Sequence, residues 1–435
     1  MTFIYDTKVS YDDTANLTAF NRLRTADARL LGEYRYMYGS GVSVEMNDKI
    51  VGGGTLVADH NRNCYLAKVN TASGDRVVRQ TKQYHPYVAA TSNLGYISFT
   101  PNPPKANVVQ SVGLFDDYNG IFFRLNGTVP EMVIRKCSDY NTANVVEQVV
   151  SSENWNIEKF DGSMNEFNQS GVTIDWSKSQ ILVVDYQWLG VGRVRVGFVI
   201  DGIVYYCHHF THANKVTEVY THQASLPCRW EIENKGISSS NSQLMIICAA
   251  VYGEGSDIET GFTRTISTDG NIISLTANTN PSISVAHGVL GIRLKNTLVN
   301  GKPNRSIARL KDYMVITDQD VQYKILMLPD KSYLANANSI FTSVPGYGWC
   351  EYITNFSLNN VWDANNTFNC ISDGFATGAS GNKSGSVETN LIDNRTSSIY
   401  QNYDSTDSQI LAVIAYKISN ATTNLRASLN WIEIQ

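Results

Sequence analysis

The chain is poor in charged residues. Asp, Glu, Lys and Arg make up 17% of its 435 residues, against roughly 25% in an average globular protein. Acidic residues outnumber basic ones by 40 to 35, so the formal net charge is −5 at pH 7, and basic residues never occur in a run longer than a pair. A nucleic-acid-binding surface needs clustered positive charge. The composition therefore predicts that nucleic acid is not a partner.

Long apolar runs are missing as well. The longest stretches, such as "ILVVDYQWL", fall well short of the roughly 20 residues that a membrane-spanning helix needs. The N-terminal "MTFIYDTKVSYDD" has neither the basic region nor the apolar core of a signal peptide. We therefore predict a soluble protein that has no membrane partner and is made in a cytosol.

Closely spaced cysteine pairs are also absent. In a cytosolic chain, an odd and scattered set of cysteines predicts free buried thiols and gives no sign of a disulfide framework or a zinc site. There are seven cysteines: Cys64, Cys137, Cys207, Cys228, Cys248, Cys350 and Cys370.

Asn, Ser, Thr and Gly are abundant where other proteins have charged residues, and the chain contains 24 tyrosines. Aromatic and β-branched side chains fit a pleated sheet, while Asn, Gly and Ser favour tight turns. The composition therefore favours strands and turns over helices. Together with the strand-like runs along the chain, it leads us to predict an all-β fold of antiparallel β-sandwich domains in tandem, of the jelly-roll or concanavalin-like kind.

Changes in pattern along the chain predict four segments. Residues 1–75 are expected to be an N-terminal arm or anchoring segment, with a short helix within 14–32, where leucines and Phe20 recur at helical spacing. Residues 76–255 are expected to form the first sandwich. A polar, Thr- and Asn-rich linker follows at 256–282, and the second sandwich occupies 283–435.

One stretch, "QWLGVGRVRVGFVIDG" (187–202), resembles a glycine-rich nucleotide loop. Gly190 and Gly192 supply the first half of the G-x-G-x-x-G pattern, but its third glycine is replaced by Arg195. No helical pattern follows, and a phosphate needs the helix N-terminus as much as the glycines. We interpret these glycines as turn and bulge residues and predict no cofactor.

The same region instead predicts an antiparallel meander of strands at 179–188, 192–200 and 203–210, with Asp201-Gly202 as a two-residue type I′ turn. Alternation places every second residue of the middle strand on one face. The predicted core of the first sandwich comprises Val183, Trp188, Val194, Val196, Phe198 and Ile200.

Two short motifs could bind metal ions. "CHHFTH" brings His208, His209 and His212 close together, but it follows a strand and lacks a third ligand at a familiar spacing. "DDYNG" (116–120) lacks the alternating oxygen ligands and closing glutamate of a calcium loop. We predict histidines that bond to backbone or pack on aromatic rings, a hairpin turn, and no metal site.

Four carboxylates lie in or near predicted strands: Asp175, Asp185, Glu231 and Glu233. A retaining glycosidase needs two carboxylates about 5 Å apart in a cleft, whereas acidic residues at alternate strand positions usually face solvent. No G-x-S-x-G motif is present either. We predict no catalytic residues and no enzyme activity.

Tryptophans offer a different chemistry. Trp155, Trp176 and Trp188 are candidates for stacking on sugar rings, as in lectin-like sandwiches, although tryptophans in such surroundings more often pack against a core. An exposed aromatic platform would support sugar binding, and buried tryptophans would count against it.

An ordered set of motifs is similar to a group of virion structural proteins encoded by tailed bacteriophages, many of them marine, and by some large DNA viruses. The similarity covers about residues 16–25 and 76–234, and the C-terminal third only loosely. Asn21 stands where the family has glycine. The motifs are "LTAFNRLR", "RVVRQTKQYHPYVAATS", "VGLFDDYNGIFFRLNG", "WNIEKFDGSMN", "SQILVVDYQWLGVGRVRVGF", "HFTHAN" and "PCRWEIEN".

The resemblance implies a virion component built of β-sandwich domains, without known catalytic residues, in capsid decoration, head fibre, neck, tail or baseplate. We expect it to act by assembly with other copies of itself and with other virion proteins. The alternative is a carbohydrate-binding module that recognises a host-surface glycan.

Overall fold

A computed structural model of the chain defines two compact units. The first contains Met1–Thr81 and His85–Asp257, and the second contains Lys82–Tyr84 and Ile258–Gln435. The structure describes residues 17–19, 28–36, 45–168, 170–255, 261–268, 270, 272–275, 287–298, 301–336, 339–346, 348–358, 370–378, 383–386, 397–418 and 422–434.

The regular structure of the first unit is almost entirely β-strand, with one short 3-10 turn at Ser152–Asn154. Its strands are β1 (Ala28–Arg35), β2 (Met46–Val51), β3 (Thr55–Asp59), β4 (Cys64–Val69), β5 (Arg76–Thr81), β6 (Asn93–Thr100), β7 (Val108–Phe115), β8 (Gly120–Asn126), β9 (Val129–Asp139), β10 (Asn144–Ser151), β11 (Gln180–Tyr186), β12 (Val194–Ile200), β13 (Ile203–Phe210), β14 (Cys228–Asn234) and β15 (Ser242–Glu254).

These strands form an antiparallel β-sandwich. An eight-stranded sheet has the order β13-β12-β11-β6-β15-β4-β3, with β1 also paired to β15, and a seven-stranded sheet has the order β10-β9-β8-β7-β14-β5-β2. Alternate side chains from both sheets meet in one apolar core, where the rings of Phe99 and Phe123 lie 6.1 Å apart. The predicted fold class is confirmed.

The predicted meander is confirmed as β11, β12 and β13. Asp201 and Gly202 have φ values of 50° and 81°, as a type I′ turn requires. Three of the predicted core residues, Val194, Val196 and Phe198, lie in the main core. The other three differ. Val183 is buried on the opposite face of the sheet, and Trp188 and Ile200 are partly buried against the core.

The structure revises the predicted N-terminal arm. Within 1–75, β1 to β4 are integral strands of the two sheets, because β1 pairs with β15, β2 with β5, and β4 with both β3 and β15. The predicted helix at 14–32 is wrong from residue 28 onward, where β1 begins. Residues 14–16 and 20–27 lie outside the described residues.

The second unit is also built of strands, with a 3-10 turn at Lys331–Tyr333. They are β16 (Phe262–Ser267), β17 (Ile273–Leu275), β18 (His287–Leu294), β19 (Ile307–Thr317), β20 (Val321–Leu328), β21 (Thr342–Ser343), β22 (Cys350–Ser357), β23 (Cys370–Ala376), β24 (Lys383–Ser386), β25 (Ser398–Ile399), β26 (Ile410–Lys417) and β27 (Thr423–Ile434).

Two antiparallel sheets make up this second sandwich. One has the order β16-β27-β19-β24, with β17 paired to β27 and β25 to β19, and the other has the order β21-β22-β18-β26-β20-β23. The predicted linker at 256–282 therefore needs correction, because β16 and β17 within it pair with β27 and belong to this sandwich. No helix in the described segments is long and apolar enough to cross a membrane.

Candidate functional site

Polar side chains are concentrated on the outer face of the seven-stranded sheet. Strand β14, "CRWEIEN" (228–234), shows how the sequence produces this face. Every second residue from Cys228 onward is buried in the core, so Arg229, Glu231 and Glu233 project from the opposite side. The neighbouring strands repeat the alternation, and charged residues of both signs meet across the sheet.

The first group of charges surrounds Glu231. Arg229 Nη2 donates to Glu231 Oε2 and to Asp117 Oδ1, each at 2.7 Å. Arg76 Nε donates to Glu231 Oε1 at 2.7 Å, and its Nη2 lies 3.0 Å from Asp117 Oδ1. Two arginines and two carboxylates thus fix one another's positions.

The second group surrounds Glu147 on the edge strand β10. Arg124 Nη1 donates to Glu147 Oε2 at 2.6 Å, and Arg135 Nη2 donates to Glu147 Oε1 at 2.8 Å. Arg124 also pairs with Glu131 at 2.6 Å. Because three adjacent strands supply these side chains, their spacing follows from the register of the sheet.

A groove with a volume of about 540 Å³ lies between the two groups. The charges on its walls nearly balance, since three basic side chains face four acidic ones. It is lined by Arg76, Asp117, Arg135, Val145, Glu147, Glu231, Glu233 and Lys235.

An apolar cluster lies beneath the charges. Phe115, Phe122 and Val133 are fully buried, and the two rings stack with centroids 4.2 Å apart. The Arg135 guanidinium lies 4.8 Å from the centre of the Phe122 ring, and the Arg229 guanidinium lies 5.0 Å from that of Phe115. These cation–π contacts help to hold the two guanidiniums in place on the sheet.

The arginines keep the carboxylates ionised. Burial alone would raise the pKa of Glu231, but the charges of Arg229 and Arg76 outweigh it and lower that pKa below its usual value. Burial acts in the same way on Glu147, and there Arg135 and Arg124 lower the pKa. A general acid needs the opposite shift, a raised pKa.

The "DDYNG" motif forms the predicted turn between β7 and β8. Asp116 Oδ1 accepts hydrogen bonds from the backbone N–H groups of Tyr118 at 2.8 Å and Asn119 at 2.7 Å, which is the usual Asx-turn arrangement. The turn therefore holds Asp117 at the end of the groove, where it reaches the two arginines.

The histidines of "CHHFTH" bond to backbone and pack on rings, as predicted. His208 Nδ1 accepts from the Asn156 N–H at 3.3 Å, and His212 Nδ1 lies 2.8 Å from Gly192 O. No group of three or more metal-binding side chains occurs among the described residues. The ring contacts are His208–Phe210 (4.5 Å), His209–Tyr206 (5.8 Å) and His212–Tyr220 (4.4 Å).

The four carboxylates singled out in the sequence do not converge. Asp175 is exposed and accepts from the Ser177 N–H at 2.8 Å. Asp185 is fully buried in the eight-stranded sheet and pairs with Arg195. Only Glu231 and Glu233 share the groove.

The three candidate tryptophans form no exposed platform. Trp155 is buried and donates to Val150 O at 3.2 Å. Trp176 stacks on Phe123 with centroids 4.9 Å apart, and Trp188 donates to Thr221 O at 2.9 Å. Sugar binding by stacking on these three rings is therefore not supported.

Sequence analysis missed most residues of the groove, including Arg76, Arg135 and Glu147, and it also missed Arg124, which binds Glu147. The available signal is the regular placement of charged residues on one face of consecutive predicted strands, as in "IFFRLNG", "EMVIRK" and "NVVEQVV". Opposite charges at such positions form pairs only when the strands become neighbours.

No family model matches the chain, and no curated protein matches it. Several solved structures are similar to about half of it. A Bacillus licheniformis β-glucanase has 10% identity and a TM-score of 0.34, and the match covers 52% of this chain and 98% of that chain. A legume lectin-like domain from Entamoeba histolytica has 11% identity and a TM-score of 0.28, with 50% of this chain and 100% of that chain covered. A carbohydrate esterase from the Shiga toxin-encoding bacteriophage phi24B has 12% identity and a TM-score of 0.30, with 53% of this chain and 100% of that chain covered. With TM-scores below 0.5, these similarities carry no argument about function.

Proposed function

We propose that the first sandwich binds a neutral carbohydrate in the groove of the seven-stranded sheet. The observation that carries this proposal is the alternation of fixed carboxylates and guanidiniums along the groove walls. Carboxylate oxygens accept hydrogen bonds and guanidinium N–H groups donate them. A sugar hydroxyl does both, so it can bridge neighbouring groups of this kind.

The charge balance of the groove favours a neutral ligand. Arg76, Arg135 and Lys235 face Asp117, Glu147, Glu231 and Glu233. A phosphate or a polyanion would meet more like charges than opposite ones. Because the ion pairs already hold the side chains in place, little conformational entropy is lost when a ligand binds.

The same geometry favours binding over hydrolysis. Glycoside cleavage by paired carboxyls needs one of them protonated near neutral pH, whereas arginines lower the pKa values of Glu231 and Glu147. We therefore expect captured glycans to be released intact. Mass spectrometry of glycans recovered after incubation would contradict this expectation if it detected shortened products.

A glycan array with the full chain is the first test, followed by calorimetry on the best ligand. Glu231→Gln keeps the side-chain volume but removes the charge, and we expect it to weaken binding at least about tenfold. Glu33→Gln, on the exposed pair with Arg35, is the matched control and should bind normally. An array without a bound glycan, or normal binding by a folded Glu231→Gln variant, would refute the proposal.

We also propose that the chain is a virion structural protein. Its support is the ordered set of motifs, because the motifs that carry the resemblance also build the groove. "RVVRQTKQYHPYVAATS" supplies Arg76, "VGLFDDYNGIFFRLNG" supplies Asp117, and "PCRWEIEN" supplies Glu231. A particle component with such a groove would recognise a host-surface glycan.

Proteomics of density-purified particles from the virus that encodes the chain tests this second proposal. We expect peptides from both sandwiches in amounts comparable to those of other structural proteins. Their presence only in the infected-cell lysate, and not in the particles, would contradict a structural role and would leave the carbohydrate proposal standing.

A further inference from the structure

The groove reaches the edge of its sheet at β10, and no second described strand covers this edge. Strand β10 pairs with β9 on one side and with no other described strand. It is eight residues long and contains no proline. Val146 and Val149 are 49% and 43% exposed. Its only charged residue, Glu147, is bound by Arg124 and Arg135 from the strands behind it.

One of the two outermost strands of the other sheet, β13, is covered over part of its length. Asn156 Oδ1 accepts from the His209 N–H at 2.9 Å, and Asn156 Nδ2 donates to His209 O at 3.1 Å. The N–H groups of Ile157 and Glu158 donate to Cys207 O at 3.1 and 3.2 Å. Residues 156–158 of the chain itself thus bond to this edge strand at Cys207 and His209.

An open strand edge presents a row of backbone donors and acceptors that fit another strand. Charged outward side chains, prolines and covering segments normally block such an edge. Among the described residues, β10 has no proline and no covering strand, its one charged side chain, Glu147, is bound by Arg124 and Arg135, and Trp155 Nε1 occupies only Val150 O. Strand β13, in contrast, is covered at Cys207 and His209. The difference points to a partner strand for β10.

We propose that β10 pairs antiparallel with β10 of a second copy of this chain, about a two-fold axis at Gln148. The side chains determine this register. Val145 and Glu147 face the groove, and Val150 packs against the core. A two-fold axis perpendicular to the sheet leaves each side chain on its own face of the sheet, and residues that lie opposite each other must share a face. Because faces alternate along a strand, opposed residues are both odd-numbered or both even-numbered, so the axis passes through a residue and not between two residues.

Centring on Gln148 is favourable on both faces. The two Gln148 amides lie opposite each other and can exchange hydrogen bonds, and Val146 lies opposite Val150 of the partner subunit. Glu147 then faces Val149 of the partner subunit. Centring on Glu147 would instead place two carboxylates directly opposite, which is destabilising.

Such pairing would join two seven-stranded sheets and bring their grooves together across the axis, since Val145 and Glu147 line the groove at this edge. Two adjoining grooves suit an extended glycan better than a single sugar unit. The pairing itself depends only on the strand edge and does not require the groove to bind carbohydrate.

Light scattering behind a sizing column tests the pairing with the full chain. We expect a concentration-dependent mass that rises from 48.3 kDa towards twice that value. Val146→Lys with Val149→Lys should weaken dimerisation about tenfold or more. Ile203→Lys, at an equally exposed position on the covered strand β13, should leave it unchanged. A single-chain mass at every soluble concentration, or a dimer that the lysines do not affect, would overturn the proposal.

Cross-linking tests the register. Opposed residues of antiparallel strands have Cα atoms about 4.5–5.5 Å apart, which a disulfide can span. Gln148→Cys should form an intermolecular disulfide on mild oxidation, and Glu153→Cys, just beyond the strand, should not. Wild-type chain gives the background from the native thiols. Cross-linking of Gln148→Cys at the wild-type level would rule out this axis.

Discussion

The two outer faces of the first sandwich use arginine–carboxylate pairs in opposite ways. On the eight-stranded sheet, Asp185 and Arg195 are both 0% exposed. Arg195 donates to Leu17 O at 2.6 Å, and Tyr206 donates to Asp185 at 3.1 Å. On the seven-stranded sheet, the carboxylates that bind arginines remain 10–38% exposed.

The pairs on the two faces consist of the same kinds of residue, an arginine and a carboxylate, and differ in how much of them solvent reaches. A sealed pair has lost its hydration and depends wholly on its partners. An open pair keeps some lone pairs and N–H groups for a ligand. The segment Leu17–Ala19 makes the difference, because its three residues are each only 3% exposed and they cover Arg195.

Breaking the sealed pair should have the largest effect. Asp185→Ala leaves the buried Arg195 charge without its carboxylate, so we expect the free energy of unfolding to fall by about 3–5 kcal/mol. Urea denaturation measures this change. The double variant Asp185→Leu with Arg195→Met should recover part of the loss. A loss below about 1 kcal/mol for Asp185→Ala would show that the pair is not sealed.

Loosening the covering segment should have an intermediate effect. Arg193 Nε donates to Ala19 O at 3.0 Å. Arg193→Met removes this charged donor, and we expect a loss of about 2 kcal/mol with faster hydrogen exchange at residues 17–19. Affinity for a glycan in the groove should not change. Unaltered exchange would mean that other contacts hold the segment.

Acidification should destabilise the chain through the carboxylates of the seven-stranded sheet, by less than the two substitutions above. The pKa values of Glu231 and Glu147 are lowered in the folded chain, so their contribution to stability is complete above the unfolded value of about 4.3. It is lost as the pH falls through the lower folded values. When the pH falls below 4, we expect the double variant Glu231→Gln, Glu147→Gln to lose about 1 kcal/mol less free energy of unfolding than the wild-type chain loses. Urea denaturation measures this change, and a difference in unfolding free energy between the two proteins that stays the same at every pH would contradict the prediction.

The exposed rim of the groove should matter least for stability. Lys235 Nζ pairs with Glu233 at 2.8 Å, but the lysine side chain is 62% exposed. Lys235→Ala should change the free energy of unfolding by less than about 0.5 kcal/mol, as thermal denaturation can show. A larger loss would indicate that Lys235 contributes more than a solvated ion pair.

Local patterns predicted the strands and turns of the first sandwich well. The alternation in "GRVRVGFVI" identified β12 and its core face, and Asp201-Gly202 identified the turn that follows. The signal is local in both cases, because side-chain alternation and backbone conformation are properties of adjacent residues.

Pairings between distant residues could not be predicted in the same way. Strand β1 pairs with β15, which lies more than 200 residues away in the chain. No local signal shows this pairing, and the glycine-rich sequence around β1 therefore led to the prediction of an arm. The groove depends on contacts such as Arg76 with Glu231, 155 residues apart. Charged residues at outward positions were visible in the sequence, but the strand order that brings them together was not.

The cysteines have a consequence for oxidation chemistry. All seven are free, and burial raises the pKa values of Cys207, Cys228 and Cys350 in particular. The thiolate is the form that reacts with oxidants and attacks disulfides, so burial protects these sulfurs both by disfavouring the thiolate and by limiting access. Oxidising surroundings should therefore leave these three thiols unchanged and should act first on Cys248 and Cys370, which are only half-buried.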